Sequence, residues 1–275
     1  MSSSFICEII LYSDCICFDT INSIDLPDHL LFIDIFMKTA LISGGAVRIG
    51  AQIVRTLHED DYKVIIHCHQ SEEIAQQLCI ELNTKRNNSA QVIVTDLGDN
   101  KAIKRLTQTI KSLDLLVNNA SVFYPTLTEN STIEDWDKII NINLRAPFFL
   151  ATGLSKVLEV SQGCIVNIID IHSDRPLQNF SIYNISKAGL KMLTKTLAKE
   201  FAPNIRVNGI SPGSILWPQD ESQLSDKEKM IMIDRIALKR QGSPNDIARA
   251  VLFLANAKYI TGQVINIDGG RSLNQ

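Results

Sequence analysis

A chain of 275 residues with 45% apolar and 21% charged side chains has the makeup of a globular protein with a substantial core. Its net charge of −3 excludes a global field that would draw it to nucleic acid or anionic lipid. No run of about 20 apolar residues is present, which argues against a membrane-spanning helix.

The first 36 residues differ from the rest. They hold six acids (Glu8, Asp14, Asp19, Asp25, Asp28 and Asp34) and no Lys or Arg, so a total of −3 leaves the remainder at +3. They lack the basic start and unbroken apolar stretch of a secretory signal and the arginines of a mitochondrial presequence. Met37, directly before a strand-like run, is expected to be the true start; an ordered N-terminal strand or an interaction tail is the competing reading. The six cysteines (Cys7, Cys15, Cys17, Cys68, Cys79 and Cys164) form no Cys-x-x-Cys pair and read as free thiols of a cytoplasmic protein.

From Met37 onward, strand-like and helix-like runs alternate. Lys38–Ser43 is short, apolar and closed by Gly44-Gly45, as a buried parallel strand should be. Ile49–His58 has helical spacing. Val64–His69 reads as a strand and Glu72–Asn83 as a helix. Gln91–Asp96 is the third strand, Lys101–Ser112 the next helix and Leu113–Asn118 the fourth strand. Two long helical patterns, Ile133–Leu158 and Tyr183–Phe201, flank the strand Gly163–Asp170. Ile205–Ile210 and Val264–Ile267 complete the strands. This order predicts a single α/β domain over 37–275, a Rossmann-type doubly wound parallel sheet with helices on both faces. The polar stretch Gln219–Met232 after a Pro-Gly turn is expected to be a mobile lid.

Ser43-Gly44-Gly45-Ala46-Val47-Arg48-Ile49-Gly50 lies between the first strand and first helix. Glycines there permit a tight turn and let a pyrophosphate approach the helix N-terminus. An NAD site usually places an acid at the end of the second strand. Here that strand ends His67-Cys68-His69-Gln70-Ser71, without one. Arg48, His69 and Ser71 would instead suit a 2′-phosphate, with Gln70 a weaker contact, so NADPH/NADP+ is the expected cofactor. Asp96 and Leu97 suit the adenine. A metal held by His67 and His69 is the weaker reading, because no third ligand lies within sequence reach.

Tyr183-Asn184-Ile185-Ser186-Lys187 places a phenol and an ammonium four residues apart on one helix face. At this point the chain resembles the short-chain dehydrogenase/reductase family over Met37–Gln275. Asn118-Asn119-Ala120, Asn143 within Asn141-Ile142-Asn143-Leu144, Pro212-Gly213, Ile260-Thr261-Gly262 and Asp268-Gly269-Gly270 also match. The resemblance implies that Tyr183 donates a proton, Lys187 holds the nicotinamide ribose and lowers the phenol pKa, and Asn143 anchors a relay water. It further implies cofactor contacts at Gly44, Ile49, Gly50, Asn119, Ala120, Ser121, Pro212 and Gly213, and a homo-tetramer.

Three departures narrow the resemblance. Arg48 stands where most members have Gly, and Asp170 replaces the usual Ser thirteen residues before the Tyr. Ser121-Val122-Phe123-Tyr124-Pro125 follows Ala120 in place of Gly. All three resemble pteridine reductases of the dihydromonapterin/dihydrofolate type. That branch implies a pterin stacked on Phe123, touched by Arg48, Asp170, Tyr183 and Ser214, and reduced at a C=N bond. Asp174 is a second acid nearby, although the spacing from Tyr183 favours Asp170. The alternatives are a carbonyl reductase such as a 3-oxoacyl-thioester reductase, and a non-catalytic NADPH-binding regulator.

Overall fold

A computed structural model describes residues 37–217 and 225–273. Residues 1–36, with Cys7, Cys15 and Cys17, lie outside the described residues, as does the 219–224 part of the expected lid.

Seven strands form one parallel sheet: β1 (Thr39–Ile42), β2 (Lys63–Cys68), β3 (Ala90–Val94), β4 (Leu115–Asn118), β5 (Cys164–Ile168), β6 (Arg206–Pro212) and β7 (Val264–Ile267). Their spatial order is β3-β2-β1-β4-β5-β6-β7. The helices are α1 (Arg48–Glu59), α2 (Glu72–Lys85), α3 (Asn100–Thr109), α4 (Ile133–Ile140), α5 (Ala146–Val160), α6 (Ser181–Glu200), α7 (Asp226–Asp234) and α8 (Pro244–Asn256). Among these described residues no helix is long and apolar enough to cross a membrane.

Alternation along each strand divides the core. Ala40, Ile42, Val64, Ile66, Val117 and Val166 face one layer, which includes Ile53 and Leu57 of α1 and Val251 and Leu254 of α8. Leu41, Ile65, Leu116 and Ile165 face the other, with Leu106 of α3, Leu150 and Leu154 of α5 and Leu197 of α6. Both faces of the central strands β1, β2, β4 and β5 are therefore dry, which explains why these strands read as largely apolar runs.

Three local differences from the sequence expectation have identifiable causes. The pattern Ile133–Leu158, read as one helix, is two helices joined by a π-helical turn at Asn141–Arg145. That turn directs Asn143 into the interior, where it is fully buried. Helix α8 was not expected, yet it carries Pro at its start and a Ser243–Asp246 capping box. Part of the expected lid is helical: α7 begins at a Ser225–Glu228 capping box.

The crossovers reverse between β1 and β4, which are neighbours in the sheet. In such sheets a crevice opens beyond the carboxyl ends of the strands at this point. Gly44, Asn119, Asp170 and Gly213 follow directly on β1, β4, β5 and β6, so the chain's motifs collect along that edge.

Candidate active site

The turn after β1 is fastened on three sides. Ser43 Oγ accepts the N–H groups of Asn119 (2.9 Å) and Ala120 (3.0 Å). Asn119 Nδ2 donates to the carbonyls of Ser43 (3.0 Å) and Gly44 (2.9 Å). The Gly44 N–H donates to His67 Nδ1 at 3.1 Å, and the Gly45 N–H to the His67 carbonyl at 2.8 Å. Gly44 has φ of +61°, the left-handed region that favours glycine. A Cβ on Gly50 would sit 2.0 Å from the Gly44 oxygen, so only glycine lets the first turn of α1 pass under the loop. A bare backbone cradle at a helix N-terminus fits the pyrophosphate of a dinucleotide.

Around that cradle, Ile49 is half-buried, Leu97 is buried, and Arg48, His69, Gln70 and Asp96 are exposed. Ser71 is the N-cap of α2, but its hydroxyl makes no capping bond. Asp96 Oδ1 accepts the Gly98 N–H at 2.7 Å. His67 and His69 do not form a metal pair: His67 is buried with both ring nitrogens engaged by protein, whereas His69 is exposed beyond the end of β2.

Arg48 has φ of +53°, left-handed backbone in a residue with a Cβ. Such a conformation costs a non-glycine residue about 1–2 kcal/mol, partly offset in a glycine variant by the freer unfolded chain. Arg48→Gly is therefore expected to raise stability by roughly 0.5–1 kcal/mol. Urea unfolding measures this; a lower midpoint would show that the arginine stem contributes more packing than its backbone costs.

Burial pushes His67 down to about 4, with the bond to Thr95 opposing and the nearby His69 charge assisting. The folded protein refuses a proton that the unfolded chain accepts near the ordinary 6.5. Stability is therefore full above pH 6.5 and is lost as pH falls toward 4, by about 3 kcal/mol for this one group. Urea midpoints across that range test the prediction. His67→Asn, which has no ionisable ring, should flatten the dependence.

The second cluster lies beyond β5. Tyr183 Oη donates to Asp170 Oδ2 at 2.7 Å, while Asp170 Oδ1 accepts the His172 N–H at 2.8 Å. Asp174 instead pairs with Lys191 at 2.5 Å, so Asp170 is the acid that meets the phenol. Burial and then the Asp170 charge hold Tyr183 well above its ordinary pKa. Lys187 Nζ donates to the Ile168 carbonyl at 3.0 Å and lies 5.7 Å from the Tyr183 ring centre. Burial pushes its ammonium down to about 8, against the Asp170 charge, which raises it.

The helix bearing this pair is pinned from below. Asn118 Nδ2 donates to Asn167 Oδ1 (2.8 Å), and Asn167 Nδ2 donates to Thr194 Oγ1 (2.9 Å), which joins β4, β5 and α6 through the core. Asn143 Oδ1 accepts from the Val122 N–H (2.9 Å) and Ser121 Oγ (3.2 Å). Its Nδ2 donates to the Val122 carbonyl (3.0 Å) and to Ser186 Oγ (3.1 Å). Asn143 thus fixes the segment after β4 against the catalytic helix. Pro212 is buried at the end of β6, with Gly213 half-buried after it. The Ser214 carbonyl accepts the Gly242 N–H at 3.0 Å, and its hydroxyl accepts from Gln241 at 3.4 Å.

Phe123 stacks on Phe180 with ring centres 4.5 Å apart and 17° between planes, and presents an edge to Tyr183 at 4.8 Å. Ser43, Asn167, Phe180 and Ser186 were not among the sequence candidates, and His67 entered only as half of a metal pair. Ser43, His67 and Ser186 stood inside the quoted motifs, but nothing in their spacing announced their partners.

A sequence profile described as Enoyl-(Acyl carrier protein) reductase matches residues 45–272. The chain belongs to the short-chain dehydrogenase/reductase family. It is 35% identical over 242 residues to 3-oxoacyl-[acyl-carrier-protein] reductase of Rickettsia prowazekii, covering 86% of this chain and 98% of the relative. The protein of the same name in Rickettsia typhi is 36% identical over the same shares. That of Staphylococcus aureus (strain Mu50) is 35% identical over 240 residues, 85% of this chain and 97% of the relative.

These relatives overturn the pteridine reductase expectation, with its C=N chemistry and its place in folate metabolism. Phe123 and Asp170 did not discriminate between substrate classes: Phe123 keeps one face on Phe180 and is 51% exposed, and Asp170 accepts from Tyr183 and His172, contacts that serve a keto substrate equally.

Proposed function

We propose that this short-chain reductase uses NADPH to reduce the keto group of a 3-oxoacyl thioester to the 3-hydroxyacyl thioester. The observation that carries this is the buried Tyr183–Lys187 pair at the carboxyl edge of the sheet, in a chain whose relatives bear the name 3-oxoacyl-[acyl-carrier-protein] reductase. NADPH, when bound, supplies a hydride to the keto carbon and leaves as NADP+. Gly44, Gly50, Asn119, Ala120 and Gly213 border its path along the strand ends. Arg48, His69, Gln70 and Ser71 favour the 2′-phosphate, because no carboxylate ends β2 to repel it.

Tyr183 provides the proton. Its raised pKa keeps it a phenol across the working range, so it is a donor throughout. Asp170 orients that donor: the O–H points along a 2.7 Å bond until the substrate oxygen takes Asp170's place as acceptor. Lys187 offsets the negative charge left on the phenol oxygen, and does so only while protonated. Asn143 holds Ser121 and Val122 in place beside this group. A pure dinucleotide-binding regulator would have no use for a phenol, a carboxylate and an ammonium brought together in this way.

The test is incubation of the full chain with NADPH and acetoacetyl thioester, followed by mass spectrometry. Formation of 3-hydroxybutyryl thioester in step with NADPH loss is the expected result. Unchanged thioester in a protein that binds NADPH would contradict the substrate assignment.

A further inference from the structure

His67 is a buried side chain near the dinucleotide turn with both ring nitrogens engaged, and the proposed chemistry does not use it. It lies on β2, 3% exposed, and touches two loops at once. The Gly44 N–H reaches its Nδ1 at 3.1 Å, and its Nε2 is 3.0 Å from the Thr95 carbonyl. These partners leave one consistent tautomer. A backbone N–H can only donate, so Nδ1 is bare; a carbonyl can only accept, so Nε2 carries the proton. Thr95 directly precedes Asp96 and Leu97, beyond the end of β3. The imidazole therefore bridges the phosphate-side turn of β1 and the loop after β3.

Gly44 is held at both ends of its own residue, its N–H by His67 and its carbonyl by Asn119 Nδ2 at 2.9 Å. The left-handed φ of +61° is thus fixed before any ligand arrives. The N–H spent on His67 is not one of those offered to a phosphate. Losing the bare Nδ1 would free Gly44 to rotate and let the turn sample shapes that no longer cradle an anion. Order lost from the free protein is then recovered from the binding energy.

We propose that His67, as a neutral strut with its proton on Nε2, is a positioning residue that presets the Gly44 turn for the dinucleotide. This rests on the dinucleotide reading of the turn. It goes beyond that reading by assigning affinity to a side chain tied to the turn's backbone at Gly44 and to the loop after β3 at Thr95.

Two substitutions separate the two ends of the strut. In His67→Asn the amide oxygen falls near the place of Nδ1 and can still accept from Gly44, while the Thr95 bond is lost. In His67→Gln the amide nitrogen falls near the place of Nε2 and can still donate to Thr95, while the Gly44 acceptor is lost. Both remove one hydrogen bond from the same buried position, so a purely structural role predicts that they affect NADPH equally.

The strut predicts otherwise. NADPH titrated into the full-length proteins should bind His67→Gln about tenfold more weakly, the scale of one lost hydrogen bond, and His67→Asn within about threefold of wild type. kcat at saturating NADPH should be unchanged in both. Equal losses in the two variants, or a loss that appears in kcat and not in affinity, would overturn the proposal. A third measurement needs no variant. Nitrogen-15 shifts of the wild-type imidazole at neutral pH should report a protonated Nε2 and a bare Nδ1; the opposite tautomer, or a rapidly exchanging mixture, would overturn it as well. If wild type fails to bind NADPH at all, it is the dinucleotide reading that falls, and the tautomer still judges the strut.

Discussion

Replacing Tyr183 by Phe lowers kcat for keto reduction by about 10³-fold, within the range that a positioned general acid supplies. The substitution removes one oxygen and leaves the ring, so the edge contact to Phe123 at 4.8 Å and the packing of the start of α6 persist. Folding and NADPH affinity should therefore change little, and the loss should fall on kcat. The size of the effect follows from the surroundings of the oxygen. The phenol oxygen is the group that reaches Asp170, and Lys187 points an N–H at the Ile168 carbonyl, so the substitution removes the positioned donor itself. Steady-state kinetics with acetoacetyl thioester and saturating NADPH measure this. A loss smaller than tenfold would show that the proton reaches the substrate by another route.

The Gly50→Ala variant is expected to weaken NADPH binding by at least about 100-fold, close to 3 kcal/mol. Its new Cβ would lie 2.0 Å from the Gly44 oxygen and 2.8 Å from Asn119 Nδ2, distances that the chain can meet only by moving backbone. Gly44 cannot move alone, because its N–H is bound to His67 and its carbonyl to Asn119. The displacement therefore breaks the lacing between β1, β2 and β4 at the point where the cradle is built. Fluorescence titration of NADPH checks the affinity, and circular dichroism confirms that the sheet remains. Unaltered affinity would mean that the turn of α1 does not approach the dinucleotide.

Much of this architecture was legible in the chain. Apolar runs closed by glycines gave strands because both sheet faces are buried, and Tyr183-x-x-x-Lys187 with Asp170 thirteen residues earlier marked groups that the fold does unite. The boundary at Asn141–Arg145 was not legible, since apolar residues run on through the π-helical turn at Ile142 and Leu144 and no local breaker marks the change of hydrogen bonding. Helix α8 was missed although Ser243, Pro244 and Asp246 spell a start signal. The substrate class was misread for a different reason. Arg48, Phe123 and Asp170 were read for a chemistry that suits a pterin and a keto substrate alike, and their surroundings depend on partners distant in sequence. Phe180, which covers a face of Phe123, is one such partner, and no local pattern announces the pairing. His67 shows the same limit: its sequence spacing offered a metal pair only as the weaker reading and gave no sign of the contacts that make it a fastening for the turn.

The central claim is that a hydride passes from NADPH to the keto carbon of a 3-oxoacyl thioester and that Tyr183 supplies the proton. Reaction with NADPH deuterated at the transferring position of the nicotinamide, followed by mass and proton spectra of the product, tests it most directly. One deuterium is expected on C3 of a 3-hydroxyacyl thioester, with no product from Tyr183→Phe on the same timescale. Deuterium in a saturated acyl chain, or a hydroxyacyl product without label on C3, would contradict it.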